Sequence, residues 1–190
     1  MSKSDSKPSS GDTRKTRAPH GARKCIPSRE FVCQTTPSKG DAEKFLMVAP
    51  TDRPMLENVS RIDREAFGAE GLGPCNLALL ARCGSVFVLA EENRVTAEAL
   101  VIWNVNGAGA LLLSLAVDSS LRRKGRGKRL MIDVLAHCSA AGKTYLELTV
   151  APDNIAALSL YLDRLGFSRE EHLPEYFGPG GDRLLLIKKL

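Results

Sequence analysis

The sequence predicts one domain of the mixed α/β (α+β) class, in which a single, mostly antiparallel sheet of about seven strands is flanked by four helices. Two patterns lead to this class. Between residues 85 and 118, three apolar runs of strand length follow one another through the short segments "NR" and "NGAG", which is typical of an antiparallel meander. After residue 121, runs with helical periodicity alternate with strands, which implies crossover connections within the same sheet.

The elements are expected in the order β-α-α-β-β-β-α-β-α-β-β. The first helix should begin at Thr51 or Asp52, since either side chain can cap it and Pro54 is tolerated in the first turn. The helix after residue 127 should bury the face formed by Leu130, Met131, Val134, Leu135 and Cys138. The predicted strands cover 44–50, 85–92, 95–105, 109–118, 142–150, 167–173 and 182–190, and the predicted helices cover 51–67, 75–83, the segment after 127, and 152–166.

Residues 1–40 form a basic N-terminal tail that is predicted to be disordered. This stretch carries 9 Lys/Arg and 3 Asp/Glu and is rich in Ser, Thr, Pro and Gly, so it contains too few apolar residues to offset the entropy of ordering. Residues 41–190, with 18 Lys/Arg and 19 Asp/Glu, are nearly neutral and form the predicted domain. The tail is interpreted as a flexible extension, with contact to nucleic acid or the ribosome as the alternative.

Composition also limits the type of protein. No apolar run approaches the roughly 18 to 20 residues that a membrane-spanning helix needs, so no membrane partner is expected. The five cysteines are odd in number and lack close-paired spacing, which favours a reducing cytoplasm. No cluster of Cys and His has the spacing of metal ligands, so no metal is expected.

The most unusual segment is "LRRKGRGKRL" at residues 121–130, which places six positive charges and two glycines between a strand and a helix. Glycines at such a turn can adopt positive φ and direct backbone N–H groups into an anion-binding concavity at the helix N-terminus. Three interpretations compete for this segment: a cradle for a phosphorylated ligand of pyrophosphate size, a nucleic-acid patch, and a solvated turn. No aromatic residue is interleaved with the basic run, which disfavours base stacking.

Two segments resemble the signatures of the GCN5-related N-acetyltransferase (GNAT) family. "VDSSLRRKGRGKRLM" is similar to the family's acetyl-CoA signature [Q/R]-x-x-G-x-G/A, matched by Arg122, Gly125 and Gly127. "LTVAPDNIAALSLYLDRLGF" is similar to the second signature, matched by Asn154, Tyr161 and Gly166-Phe167. The resemblance covers roughly residues 44–190, and within the family it is strongest to ribosomal-protein alanine and protein N-terminal acetyltransferases.

The resemblance implies that the fourth and fifth strands splay apart and admit the pantetheine arm of acetyl-CoA between them. It implies that the fourth strand pairs with pantetheine and that backbone amides of the basic loop hold the pyrophosphate. The residues expected to bind acetyl-CoA are Leu115, Ala116, Val117, Arg122, Arg123, Lys124, Gly125, Arg126, Gly127, Lys128, Asn154 and Tyr161. A backbone N–H near Val117 would polarise the thioester carbonyl.

Three further residues are candidates for catalysis and acceptor binding. The resemblance makes Tyr161 the acid that protonates the leaving sulfur, whereas periodicity alone would place it in the core. Glu147 is the candidate general base. It stands two residues before Thr149, the position at which the alanine acetyltransferases carry a Glu, and so shares a strand face with it. Glu98, Asp118 and Glu175 stay open as other bases, and Tyr176 in "EYFGPGGDRLLL" is a candidate acceptor-site residue.

The predicted function is therefore acetyl-CoA-dependent transfer of an acetyl group to an amine, with a protein or peptide N-terminal α-amino group as the expected acceptor. A small-molecule amine acetyltransferase is the close alternative. A non-catalytic module associated with nucleic acid through its basic tail and loop is the third.

Overall fold

A computed structural model describes residues 43–91, 94–104 and 107–190, which build seven strands and four helices. The predictions for residues 1–40 and for a domain boundary at residue 41 lie outside the described residues. The strands are β1 Glu43–Met47, β2 Gly84–Glu91, β3 Arg94–Trp103, β4 Gly109–Val117, β5 Tyr145–Val150, β6 Ser168–Leu173 and β7 Arg183–Lys189. The helices are α1 Arg53–Phe67, α2 Pro74–Cys83, α3 Arg126–Ala140 and α4 Ile155–Leu158.

The seven strands form one sheet in the order β1-β2-β3-β4-β5-β7-β6. Every neighbouring pair is antiparallel except β4 and β5, which are parallel and are connected through α3. The predicted fold class is confirmed, including the meander from β2 to β4 and the crossover that follows it. Asp52 caps α1, because its Oδ1 accepts a hydrogen bond from the Met55 N–H at 3.2 Å.

Hydrophobic layers cover the two faces of the sheet unequally. On one face, α3 and the region around α4 pack against strands from both halves of the sheet, and Leu130, Met131, Val134 and Cys138 are buried as predicted. On the other face, the core formed with α1 and α2 draws its buried strand residues from β2, β3 and β4. On this same side of the sheet, β5 and β7 contribute no buried residue to the core formed with α1 and α2. Their residues there, such as Leu185 and Ile187, are partly exposed.

A wedge opens between β4 and β5 because their pairing stops early. The two strands are in register only from Gly109 and Tyr145 to Leu112 and Leu148, whereas β4 continues along β3 to Val117. At the point of separation, β4 contains one extra residue, Leu113, opposite the step between Leu100 and Val101 of β3. This β-bulge shifts the alternation of β4 by one residue. Before the bulge Ala110 and Leu112 face α3, and after it Leu115 and Val117 do.

The helix predicted over 152–166 differs from the expectation. Only Ile155–Leu158 is α-helical, and the chain continues as a π-helical segment over Ser159–Arg164. The segment ends where the Phe167 N–H donates to the Tyr161 carbonyl at 2.9 Å, next to Gly166 with φ +66°. Because a π-helix has a wider turn than an α-helix, the spacing of seven residues no longer places Asn154 and Tyr161 on one face, as α-helical periodicity predicted.

No helix in the described part of the chain combines the length and the apolar character needed to cross a bilayer.

Candidate functional site

The basic loop and the first turn of α3 form an anion-binding geometry at the end of the wedge. Gly125 caps α3 with φ +80°, and Arg123 also has a positive φ of +62°. Among the described residues, the backbone N–H groups of Gly125, Arg126, Gly127 and Lys128 donate to no carbonyl, whereas the Arg129 N–H donates to the Gly125 carbonyl. Four neighbouring amides are thus available at the positive end of the helix dipole.

The six positive charges of this segment divide into two groups. Arg122, Arg123, Lys124 and Lys128 are exposed. Arg126 points away from the loop, donating from Nε to Glu43 Oε1 at 2.8 Å and from Nη2 to Glu91 Oε1 at 2.6 Å. Arg129 also contacts Glu43, through Nη1 at 3.1 Å. The side chains of Arg126 and Arg129 therefore anchor α3 to β1 and β2, and only the backbone amide of Arg126 can serve a ligand at the loop.

The last residues of β4 line the wedge with both backbone and side chain. The Asp118 N–H donates to the Thr96 carbonyl of β3 at 3.0 Å, so the N–H of Val117, one residue earlier, points to the opposite side, where β5 has diverged. The Val117 carbonyl accepts a hydrogen bond from Arg122 Nε at 3.2 Å. The side chains of Leu115 and Val117 approach the first turn of α3, while Ala116 is buried in the core on the other face.

Gly127 lies close to the end of β4 and to the π-helical segment, and a Cβ there would make only ordinary contacts. A Cβ added at Gly127 would lie 3.6 Å from Val117 Cγ2 and 3.9 Å from Leu160 Cδ2. The first turn of α3 is therefore in contact with both the end of β4 and the π-helical segment, and it points its free amides along the opening between them.

Tyr161 lies in the π-helical segment and is 6% exposed, with its ring packed edge-to-face against Phe167 at 5.5 Å between centroids. Burial, and then the charge of Glu98, raise the pKa of Tyr161 well above its ordinary value. Its hydroxyl therefore keeps its proton at neutral pH and is available as a donor. Asn154 is exposed and caps α4, its Oδ1 accepting from the Ala157 N–H at 3.1 Å.

Glu147 and Tyr176 lie on the side of the sheet left open beside α1 and α2. Glu147 is half-buried on β5, between Leu111 of β4 and Ile187 of β7 in register, and it lines a cavity of about 460 Å³. Tyr176 is 53% exposed in the β6–β7 loop and packs edge-to-face against Phe177 at 4.8 Å between centroids.

The other carboxylates differ sharply in their surroundings. Asp118 forms ion pairs with Arg94 at 3.0 Å and Arg61 at 3.3 Å. Hydrogen bonds, first from the Ser120 side chain and then from Arg94, lower the pKa of Asp118, so it is a poor proton acceptor at neutral pH. Glu175 is exposed in the β6–β7 loop with φ +50°.

Glu98 is fully buried, and burial together with the charge of Asp63 raises its pKa to about 8. The sequence analysis named Glu98 only among several open carboxylates and did not identify Asp63 or Ser114, which contact each other and Glu98 in the structure. A signal for this cluster existed, because Glu98 interrupts the apolar run of β3 and Asp63 lies four residues after Val59 on the buried face of α1.

Comparison with known proteins gives a consistent result. The model of the acetyltransferase (GNAT) family matches residues 56–167. An uncharacterized N-acetyltransferase of Methanocaldococcus jannaschii is 28% identical over 141 residues, which are 70% of this chain and 85% of the relative.

Solved structures share the fold at low sequence identity. The ribosomal-protein-S18-alanine N-acetyltransferase of Escherichia coli superposes with a TM-score of 0.64 and 22% identity, covering 77% of this chain and 93% of that one. A chain of the NatC complex bound to Gag peptide and CoA superposes with a TM-score of 0.64 and 19% identity, covering 78% of this chain and 98% of that one.

Proposed function

Since the chain belongs to the acetyltransferase (GNAT) family and is an N-acetyltransferase, we propose that it transfers the acetyl group of acetyl-CoA to the α-amino group of a protein or peptide. The observation that carries this proposal is the wedge between β4 and β5, with the free amides of α3 at one end and an uncovered face of the sheet beside it. A donor and an acceptor can thus enter from opposite faces and meet at the same opening.

The donor side is supported by the basic loop and the end of β4. The amides of Gly125, Arg126, Gly127 and Lys128 suit the pyrophosphate, because free helix-terminal N–H groups and the helix dipole both favour an anion. The exposed side chains of Arg122, Arg123, Lys124 and Lys128 add positive charge around it. The unpaired edge of β4 from Leu115 to Val117 offers backbone groups to the pantetheine arm, and this contact would displace Arg122 from the Val117 carbonyl. Asn154 would then contribute mainly by starting α4 beside the opening.

The acceptor side favours a chain over a compact polar amine. The open face carries Leu113, 49% exposed at the bulge, and the half-buried Tyr145 next to Glu147. The exposed pair Tyr176 and Phe177 stands in the β6–β7 loop, where Arg183 lies over the Phe177 ring at 4.8 Å. Exposed apolar and aromatic side chains of this kind fit the side chains of a peptide that lies along the surface.

The chemistry needs an uncharged amine, a polarised thioester and a proton for the sulfur. An α-amino group has an ordinary pKa near 8, so it requires less help to lose its proton than a lysine, whose pKa is about 10.4. We assign Glu147 to hold the incoming ammonium and to act as a base for it, directly or through water. The Val117 N–H would stabilise the oxyanion, and Tyr161, whose hydroxyl stays protonated, would donate to the departing sulfur.

An acetylation screen tests this function. The full chain is incubated with acetyl-CoA and one of three acceptor sets: peptides with free N-termini, N-terminally blocked peptides that contain lysine, and small amines. Release of the CoA thiol and the mass of the product are measured. We expect turnover on free N-termini that is lost when the same peptides are blocked. Turnover on small amines alone would identify the alternative enzyme, and absence of CoA binding together with salt-sensitive binding to nucleic acid would favour the non-catalytic module.

A further inference from the structure

A pair of buried carboxyl groups shares one hydroxyl next to the wedge. Asp63 of α1, Glu98 of β3 and Ser114 of β4 are all buried, and Glu98 is completely inaccessible to solvent. Ser114 Oγ lies 2.8 Å from Asp63 Oδ1 and 2.7 Å from Glu98 Oε1. The pair lies on the same face of the sheet as Glu147, because Ser114 and Ala116 of β4 face α1 after the bulge.

The two hydrogen bonds of this cluster need one more hydrogen than the Ser114 hydroxyl supplies. A serine hydroxyl has one hydrogen, so it cannot donate to both carboxyl oxygens at once, and the second contact is a hydrogen bond only if one carboxyl group is protonated. Asp63 Oδ2 accepts a further hydrogen bond from the Leu72 N–H. Glu98 Oε2 is buried without a hydrogen-bond partner, which favours the neutral form of Glu98.

The described groups that act on Glu98 include no positive charge. Asp63 faces Glu98 from α1, and Ser114 and the Ala116 amide face it from β4. The charge of Glu98 in turn raises the pKa of Tyr161. Val88 of β2 stands opposite Glu98 in register and is apolar. Within the described residues, no salt bridge includes Asp63 or Glu98.

We propose that Glu98, in its ionised form and acting through the hydroxyl of Ser114, is the final acceptor of the proton that the substrate nitrogen loses as the C–N bond forms, while Asp63 positions the Ser114 hydroxyl. This inference rests on the proposed acetyl transfer. It selects Glu98 from the carboxylates that the sequence analysis left open and adds Ser114 and Asp63 as residues that act with it. Ser114 directly follows the exposed bulge residue Leu113, and at 9% exposure it is the most accessible of the three residues, compared with 2% for Asp63 and 0% for Glu98.

The step balances with the groups present. With Glu98 ionised, Glu147 takes the first proton of the ammonium, which frees the electron pair of the nitrogen. As the C–N bond forms, the second proton passes from the nitrogen to Ser114 Oγ while the Ser114 hydroxyl hydrogen passes to Glu98 Oε1. The freed electron pair of the nitrogen forms the C–N bond, the C–S bond breaks, and the sulfur takes a proton from the Tyr161 hydroxyl. Glu98 then carries the proton that Tyr161 has lost, and its transfer to the phenolate restores both groups for the next turnover.

The first test reads the protonation of Glu98 without any acetyl acceptor. Infrared spectra of the full chain are recorded between pH 6 and 10 for the parent, Glu98→Gln and Glu147→Gln. We expect a carboxylic-acid band at neutral pH that is present in the parent and in Glu147→Gln, is absent from Glu98→Gln, and disappears as Glu98 ionises. A band that persists in Glu98→Gln, or a parent without one, would overturn the proposal and leave the proposed function untouched.

The second test uses the pH dependence of kcat/KM with two peptides, one offering an α-amino group and the other a lysine side chain. In the parent, kcat/KM should increase with pH, and the midpoint of this increase should be the same for both peptides, although their amine pKa values differ by roughly two units. Glu98→Gln and Ser114→Ala should each lower kcat/KM about 100-fold and remove this rise. Glu147→Gln should lower kcat/KM, because Glu147 holds the ammonium and takes its first proton, but the rise that reports the ionisation of Glu98 should remain.

Two results of the second test contradict the proposal. If the rise follows the pKa of the acceptor amine or is lost only in Glu147→Gln, then Glu147 is the sole base. If Ser114→Ala retains the parental rate and profile, the path through the hydroxyl is wrong. Failure of every peptide to react would instead refute the proposed function, and the infrared result would remain interpretable.

Discussion

Tyr161 illustrates how one side chain can serve both packing and chemistry. Its ring is part of the core that includes Phe167 and Leu165, and its hydroxyl reaches an environment in which Glu98 opposes its ionisation. Tyr161→Phe keeps the ring and removes only the hydroxyl. If the hydroxyl protonates the sulfur, kcat should fall by roughly 10- to 1,000-fold, about 1.4 to 4 kcal/mol of transition-state stabilisation, with the Kd for CoA nearly unchanged.

Measuring kcat and Tm on the same preparation separates the two roles of Tyr161. A residue that only packs would leave turnover within about twofold of the parent while Tm shifted slightly. That outcome, with a chemical step shown to be rate-limiting, would eliminate Tyr161 as the acid.

Glu98 should also make stability depend on pH. Its folded pKa of about 8 lies above the ordinary value of 4.5, so the folded state holds a proton that the unfolded chain releases between these values. This contribution is fully present below pH 4.5 and is lost as pH rises to 8, at up to about 1.4 kcal/mol per pH unit. We expect Glu98→Gln to remove this slope from urea unfolding measured between pH 5.5 and 8.

A matched control is Glu57→Gln, which alters an exposed carboxylate paired with Arg53 on α1. This variant should keep the parental slope, because exposed ion pairs contribute little to stability. Equal slopes in the parent and in Glu98→Gln would show that Glu98 ionises in the folded protein much as it does in the unfolded chain.

At the scale of elements, the loop before α3 combines conformation and charge. Gly125 has φ +80°, and nothing lies within 4 Å of a Cβ added there, so a substitution strains the backbone without a steric clash. Gly125→Glu would place an anion where the free amides face the pyrophosphate, and we expect the affinity for CoA to fall at least 10-fold in calorimetry. Gly125→Asn is the control, because Asn tolerates the left-handed conformation and adds no charge.

The comparison of the two Gly125 variants isolates the electrostatic effect. Gly125→Asn should bind CoA within about threefold of the parent. An unchanged affinity in a folded Gly125→Glu protein would remove the loop from the proposed donor site.

The helices and strands also show how far local patterns extend. Alternation predicted the meander, and an apolar stripe predicted the buried face of α3, because both are set by neighbours within a few residues. The π-helical segment after Leu158 was not predictable from this periodicity, since the choice of a wider turn depends on how Tyr161, Leu165 and Phe167 pack against the sheet.

At the scale of the whole molecule, Glu43 joins the start of the described chain to the loop. It accepts hydrogen bonds from Arg126 and Arg129 and contacts the Thr96 hydroxyl. A chain that begins at Asp41 should keep its Tm and its affinity for CoA, because it retains Glu43. A chain that begins at Lys44 should have a lower Tm, because Arg126 would keep Glu91 but lose Glu43, and Arg129 would lose its contact with the Glu43 carboxylate.

Glu43→Gln in the full chain is the control for the truncations. If Glu43 is responsible, this variant should reproduce most of the lower Tm of the chain that begins at Lys44. A loss of affinity in the chain that begins at Asp41 would show instead that residues 1–40 contribute to the site.

The sequence by itself determined the order of the elements, the family, and the position of the glycine-containing basic loop between β4 and α3. These features depend on residues close together in the chain, whose periodicity and spacing can be read directly. Only the tertiary structure decided that Arg126 and Arg129 contact Glu43, more than 80 positions away, and that Asp63, Glu98 and Ser114 meet beside the wedge. Such contacts depend on strand register and on the bulge at Leu113, which are fixed by the packing of the whole sheet rather than by any local pattern.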